Sequence, residues 1–309
     1  MLFVIEGLDR TGKSRLARRI ATKIGGRVIH AGPPKRGSIE EYETSLNDYD
    51  PTSGEHFILD RWHIGETVWP KIFGRQTDMD LAVKRHVTMF MESRGAVTIY
   101  GRRDLDKLRH EMVKYDEPLH PDKVYEADQR FKSYRETYGT TKSWLWDYES
   151  DGDDKVSKII AHAQEREELA RQVWKLCGPG YICGSLTPIV LLVGDEQGPK
   201  KDNRNEPYKI PFAPFMTTSG HYLLCSLENW KETFIINASD RDEKFFYDIY
   251  AVWRGLDYPA VIALGNAASK HLEHLEVPHS LVPHPQYWRR FHYHDKDLYT
   301  YKLEVAGGF

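Results

Sequence analysis

The 309-residue chain has room for about two domains at roughly 150 residues each. Its 43 Lys and Arg against 46 Asp and Glu leave a formal charge of −3, which excludes a polycationic arm or an acidic tail, and 40% hydrophobic with 29% charged residues is an ordinary globular balance. Three cysteines without CxxC spacing (Cys177, Cys183, Cys225) exclude a disulfide framework, the apolar run Pro188–Val193 is far below the roughly 20 residues of a membrane span, and Met1–Glu6 is too short for a signal peptide, so the expected compartment is a reducing cytoplasm.

Strand and helix alternate over the first 160 residues. Leu2–Glu6 reads as a buried strand, Lys13–Ile24 as an amphipathic helix, Arg27–His30 as a second strand and His56–Asp60 as a third ending on a carboxylate. Leu81–Ser93 is helical and the apolar run Ala96–Tyr100 a strand. Val124, Ala127, Phe131, Tyr134 and Tyr138 fall three or four apart and make Asp122–Tyr138 a helix, followed by a fifth strand, Ser143–Asp147. Strands separated by helices imply a parallel sheet covered on both faces, an α/β fold. A charged helix over Lys155–Leu176 runs into the breaker Cys177-Gly-Pro-Gly180, after which Ile189–Val193, Phe234–Ile236 and Val261–Leu264 restart the pattern of short buried strands. The expected division is therefore 1–165, a linker helix and breaker at 166–180, and 181–309. Basic and acidic residues number 27 and 28 over residues 1–165 and 16 and 18 over 166–309, so neither part is basic.

Gly7-Leu8-Asp9-Arg10-Thr11-Gly12-Lys13-Ser14 fits G-x-x-x-x-G-K-[ST] between a strand and a helix. At such a place backbone N–H groups curl round phosphate oxygens at a helix N-terminus, the Lys reaches the outer phosphates and the Ser hydroxyl serves Mg²⁺. Gly7, Arg10, Thr11, Gly12, Lys13, Ser14 and Arg15 are the candidate ATP-binding residues. A second charged pair, Asp60-Arg61, closes the third strand. Lys13, Arg10, Asp60 and Arg61 are the candidate catalytic set, since phosphoryl transfer is catalysed mainly by positioning and by neutralising charge on the moving oxygens.

Ile5 through Ser14, with Asp60-Arg61-Trp62-His63, resembles the thymidylate kinases, over about residues 1–165. The resemblance implies a P-loop kinase with a five-stranded parallel sheet that uses ATP and Mg²⁺ to phosphorylate a nucleoside monophosphate. Asp9 would then hold the deoxyribose 3′-hydroxyl, Arg61 the acceptor phosphate, and Asp60, with Ser14, the Mg²⁺. Beside them Trp62 offers a ring to stack on a base, and Arg75, at the end of a segment that departs from the family, is a further candidate at the acceptor site. Arg10 would clamp the transferring phosphate from inside the loop, and Arg102 and Arg109 would belong to a closing lid. Where cellular members carry Arg-Glu-Pro-Gly after the second strand, this chain has His30-Ala-Gly-Pro-Pro-Lys-Arg36, closer to the short nucleotide kinases of bacterial viruses.

Four segments of the second half, in order, resemble a uracil-DNA glycosylase-type domain: Ile189–Pro199, Pro211–Gly220, Phe234–Ala238, and Ala263–Ala267 with Val282–Pro285. The resemblance implies a second α/β domain with a base pocket, built of Asp195 or Glu196 toward water or the sugar, Phe212 or Phe215 for stacking, Asn237 for reading the base edge and His284 for the leaving base. Asp195-Glu-Gln-Gly198 and His284-Pro-Gln286 depart from that family's motifs, which favours a pocket that binds without cleaving. No iron–sulfur cluster is expected, and the histidines from His271 to His294 lack metal-site spacing.

The primary expectation is a kinase for dTMP or a 5-modified dUMP. The main rival is a kinase acting on 5-hydroxymethyluracil within DNA, as phages do in base hypermodification, with Lys200-Lys201, Arg204 and Arg289-Arg290 as a local phosphate-contacting patch. A third reading is a glycosylase-like repair or nucleic-acid-binding protein with a nucleotide-sensing loop domain. Expected partners are a nucleotide and, for the rivals, DNA, with a homodimer as the candidate assembly and no membrane. A virus-encoded chain would act in the host cytoplasm.

Overall fold

The computed structural model describes residues 1–32, 49–177, 182–195, 212, 218–238, 241–253 and 258–308. Elements follow in chain order as β1 (Leu2–Gly7), α1 (Lys13–Ile24), β2 (Arg27–His30), β3 (Phe57–Asp60), α2 (Gly65–Phe73), α3 (Leu81–Glu92), β4 (Val97–Arg102), α4 (Leu105–Lys114), α5 (Val124–Tyr138), β5 (Trp144–Asp147) and α6 (Asp153–Cys177). Then come β6 (Cys183–Gly184), β7 (Val190–Gly194), α7 (Thr218–Ser226), β8 (Thr233–Asn237), α8 (Glu243–Val252), β9 (Ala260–Leu264), α9 (Asn266–His274), β10 (Ser280–Val282), α10 (Pro285–Phe291) and α11 (Lys296–Gly307). The chain forms two compact units, Met1–Asp80 with Arg94–Glu168, and Leu81–Ser93 with Leu169–Phe309. Among the described residues no helix is long and apolar enough to cross a membrane.

The first unit is the five-stranded parallel sheet that the alternation implies, in the order β2-β3-β1-β4-β5. The central strand β1 is buried along its whole length, as the run Leu-Phe-Val-Ile requires of a strand covered on both faces. Its period-2 alternation sends Phe3 and Ile5 to a core with Leu16 and Ile20 of α1 and with Val156 and Ile159 of α6. The opposite face carries Tyr100, which packs with Leu8, Ile64, Val68, Leu108 and Phe131 from α2, α4, α5 and their loops. The five strands are parallel, so their carboxyl ends lie on one side of the sheet, the side where ligands bind in open α/β folds.

Two details were not foreseeable from periodicity. Helix α2 contains Pro70, a residue that ordinarily ends helices, yet Pro70 accepts the C-cap bond from Gly74 through its carbonyl. Helix α3, written in the first part of the chain, packs in the second unit against α7 and β6. There Arg85 Nη1 donates at 2.7 Å to the carbonyls of Leu224 and Leu227, supplying partners that the C-terminus of α7 lacks.

The second unit has its own five-stranded sheet, β10-β9-β7-β8-β6, with β6 alone antiparallel. Leu191, Val193, Phe234, Ile236, Val261 and Ala263 form its apolar core with Phe246 and Ile249 of α8 and Leu272 of α9. This is a separate α/β core with its own set of carboxyl strand ends.

Candidate functional site

The loop from Gly7 to Ser14 joins the end of β1 to the start of α1, whose first N–H groups have no intrahelical acceptor and no side-chain cap from Gly12. Two glycines are required sterically. Gly7 lies at φ 125° with its Cα against the Gly101 carbonyl, and Gly12 lies at φ 76° with its Cα against the Tyr148 ring, so neither place has room for a Cβ. Lys13 is 5% exposed and its Nζ donates to the Leu8 carbonyl, with Asp9 Oδ1 3.6 Å away. Burial holds this ammonium below the usual lysine range, and the nearby Arg61 charge pushes the same way against the opposing pull of Asp9 and Asp60.

From β3 come Asp60 and Arg61. Ser14 Oγ donates to Asp60 Oδ2 at 2.6 Å, and His30 Nδ1 stands 3.3 Å from the same oxygen. The other oxygen, Asp60 Oδ1, is buried without a hydrogen-bond partner. A serine hydroxyl beside a half-satisfied carboxylate is an all-oxygen donor set of the kind that suits Mg²⁺, which keeps several waters and binds through one or two carboxylates plus phosphate. Arg61 Nη2 lies 2.5 Å from Asp9 Oδ1, so the two expected acceptor-binding side chains neutralise each other. Arg10 and Arg61 both adopt positive φ, 61° and 70°, a strained state for non-glycine residues that clusters at binding sites.

Arg10 points to the segment after α4. Its Nε and Nη2 each lie 2.7 Å from Glu117 Oε1, and its guanidinium stacks 4.0 Å from the centre of the Tyr115 ring. Arg103 is held by both oxygens of Glu111, at 2.6 and 2.8 Å, and its Nη1 lies 3.5 Å from the Arg10 carbonyl. Glu117 thus occupies the guanidinium that the sequence reading expects to clamp a phosphate. Replacing it with Gln is expected to lower the donor KM about two- to fivefold, the worth of a partly exposed ion pair at up to about 1 kcal/mol. Initial rates against donor concentration check this.

Gly7, Asp9, Arg10, Thr11, Gly12, Lys13, Ser14, Asp60 and Arg61 therefore meet at the ends of β1 and β3. Thr11 Oγ1 donates to the Leu8 carbonyl at 2.8 Å, and Arg15 reaches the Tyr148 hydroxyl at 3.5 Å. Trp62 is buried, and Arg75 makes a forked pair with Glu66, at 2.9 and 3.4 Å. Arg102 and Arg109 turn elsewhere, each 3.5 Å from a carboxylate, Asp147 and Asp122 respectively. The sequence reading gives no role to Glu6, Glu117 and Tyr148, and Arg103 stands there only beside Arg102 in the expected lid segment. Only Glu6 carried a local signal, as the single charge inside an apolar strand.

Two buried groups next to the loop set a pH response. Burial pushes the Glu6 carboxyl from an ordinary 4.5 up to about 8, against the lowering effect of backbone N–H groups and Lys13. His63, buried with neither ring nitrogen partnered, is driven from 6.5 down to about 3 by desolvation. The raised Glu6 value contributes stability that is complete below pH 4.5 and lost as pH rises through 8. The depressed His63 value contributes stability that is present above pH 6.5 and lost as pH falls through 3. The two slopes oppose each other between 4.5 and 6.5, leaving Glu6 alone to act from 6.5 to 8, at up to about 1.4 kcal/mol per pH unit. Urea midpoints measured from pH 6.5 to 8 are expected to fall with rising pH, and Glu6→Gln to flatten that fall. His63→Gln is expected to flatten the loss between pH 4.5 and 3.

In the second unit, four expected pocket residues are described. A Cβ on Gly194, at the end of β7, would stand 2.7 Å from Asn237 Oδ1 and 2.8 Å from the Phe212 ring, which shows how closely these two approach the strand end. The Phe212 and His284 rings lie 5.9 Å apart, and Phe212 has φ 53°. His284 Nδ1 accepts from the Gln286 N–H at 3.2 Å, which puts the neutral ring's proton on Nε2. Burial lowers the His284 pKa, and the Asp195 charge partly opposes it. Glu196, Phe215, Lys200, Lys201, Arg204 and the breaker residues 178–180 lie outside the described residues.

No protein-family model and no curated protein matches this chain. Among solved structures, YorR protein from Bacillus subtilis, in complex with phosphorylated GDP, is similar over 54% of this chain and 98% of its own, at 19% identity and a TM-score of 0.45. Deoxyadenosine kinase from M. mycoides is similar over 53% of this chain, at 16% identity, with TM-scores of 0.36 with bound dCTP and 0.35 with bound dATP, covering 100% of that chain in both cases.

Proposed function

We propose that the first unit transfers the γ-phosphoryl group of MgATP to a pyrimidine deoxynucleoside monophosphate, dTMP or a 5-modified dUMP. The observation that carries this reading is the convergence of Lys13, Ser14, Asp60, Arg61 and Asp9 at the ends of β1 and β3. An acceptor phosphate oxygen attacks the γ-phosphorus, and the bond from that phosphorus to the β–γ bridging oxygen breaks, leaving ADP. Lys13 neutralises the outer phosphate oxygens, and its buried setting makes that charge count for more than in water. Arg61 exchanges Asp9 for the acceptor phosphate, and Asp9, so released, accepts from the sugar hydroxyl. Arg10 leaves Glu117 to meet the transferring group. Ser14 and Asp60 would hold Mg²⁺, which would supply further charge neutralisation when bound.

The second unit fits a role in holding a base without cleaving it. Asn237 offers an amide to a base edge, Phe212 a ring face and His284 an Nε2 donor, while the sequence around Asp195 departs from the water-activating motif of glycosylases. That cluster favours one second reading, in which the acceptor is 5-hydroxymethyluracil already in DNA and the second unit handles the base. ADP release over a panel of dNMPs, beside transfer of labelled γ-phosphate to hydroxymethyluracil DNA, separates the two. Turnover of a free dNMP is expected, labelling of DNA alone decides for the second reading, and neither product with ATP still bound overturns both.

A further inference from the structure

Glu6 stands in a strand whose other residues are apolar or glycine, and it is 1% exposed. Its Oε1 accepts from three backbone N–H groups of one loop: Trp62 at 2.8 Å, Ile64 at 3.1 Å and Gly65 at 3.3 Å. Converging N–H groups of this kind form a concave site for an anion. Here the acceptor on which they converge is a side-chain oxygen of the neighbouring strand. The same strand fixes the start of the loop, since the Arg61 N–H donates to the Ile5 carbonyl at 2.9 Å. The far end is also closely packed, because a Cβ on Gly65 would lie 3.3 Å from the Trp69 ring and 3.5 Å from Glu6 Oε2.

Arg61 sits at φ 70°, a state that a non-glycine residue keeps only where its surroundings enforce it. The Arg61 N–H bond on one side and the Glu6 bonds to residues 62, 64 and 65 on the other are that enforcement. We propose that Glu6 is the positioning residue for the acceptor-phosphate arginine, holding the Arg61–Gly65 loop on β1 so that the guanidinium stands beside Asp9 and Lys13. The proposal rests on the kinase reading above. What the loop needs is an acceptor oxygen at the Oε1 position, and a carboxylate, a carboxylic acid or a carboxamide each supplies one. Alanine supplies none and leaves three N–H groups buried and unpaired. The charge of Glu6 is therefore dispensable and its oxygen is not.

The test compares wild type, Glu6→Gln and Glu6→Ala in the full chain. Hydrogen exchange is read at the amides of Trp62, Ile64 and Gly65, and steady-state kinetics at varied donor and acceptor. In the wild type these three amides are expected to exchange as slowly as those of β1. Glu6→Ala is expected to speed their exchange at least 100-fold, to raise the acceptor KM about tenfold and lower kcat, and to leave the donor KM within twofold. Glu6→Gln is expected to restore both readouts to within threefold of wild type. Fast exchange of these amides in the wild type overturns the proposal even if Glu6→Ala fails to fold. Equal losses in Gln and Ala, or equal effects on donor and acceptor, overturn it as well. A wild-type protein that turns over no acceptor but protects the three amides sinks the kinase reading instead, and leaves the anchoring of the loop intact.

Discussion

Lys13→Ala is expected to lower kcat for phosphoryl transfer by on the order of 10²–10³, the usual loss when one preorganised positive donor is removed from a developing charge. The buried ammonium has few partners to spare for structure: it touches the Leu8 carbonyl and stands 3.6 Å from Asp9, which keeps Arg61 at 2.5 Å after the change. Removing a charge held below its normal pKa by burial also relieves a desolvation cost. Melting temperature is therefore expected to stay the same or rise, while turnover collapses. A variant that loses activity and stability together would instead place Lys13 among the supports of the fold. Coupled ADP release and a thermal melt on the same sample separate the two outcomes.

What the sequence reveals about this site follows from the range of the interactions. The phosphate loop is local: eight consecutive residues between a buried strand and an amphipathic helix carry their own steric reasons, so Gly7, Gly12 and Lys13 could be assigned a place before any fold was known. Asp60 was singled out through the likeness of Asp60-Arg61-Trp62-His63 to a known motif, at the end of an apolar strand. By contrast, Arg10 and Glu117 are 107 positions apart, and no periodicity predicts that pair. Helix α3 shows a different limit. Its apolar spacing announces a buried face, but spacing does not say which core receives that face, and Leu81–Ser93 belongs with Leu169–Phe309. Arg102 and Arg109 were singled out because a lid needs arginines, whereas Arg103, between them in sequence, makes the contact with the loop. Residue type near a site is weak guidance where several like residues compete. In the second unit, Asn237, Phe212 and His284 come from three separate segments and meet only because strands β7, β8 and β10 end on one side of their sheet.

Arg61→Ala is expected to reduce kcat/KM for the acceptor by about 10²–10³ and to leave donor affinity within a few fold. The guanidinium is 41% exposed on its side chain, so it can turn from Asp9 to an incoming phosphate without unfolding anything, and Asp9 is freed by the same movement. The exchange has a cost, since the pair at 2.5 Å must separate, but a dianionic phosphate offers the planar fork two oxygens where Asp9 uses one. Arg61→Lys separates charge from shape. An ammonium keeps the positive charge but not the fork, so it is expected to recover only part of the lost kcat/KM, most of it through KM. Loss of Arg61 also removes a like charge beside Lys13 and lets the lysine pKa rise, which keeps Lys13 charged and the donor site intact. Acceptor and donor saturation curves for the two variants check these expectations together, and a loss of donor affinity matching the loss at the acceptor would place Arg61 on the ATP side of the site.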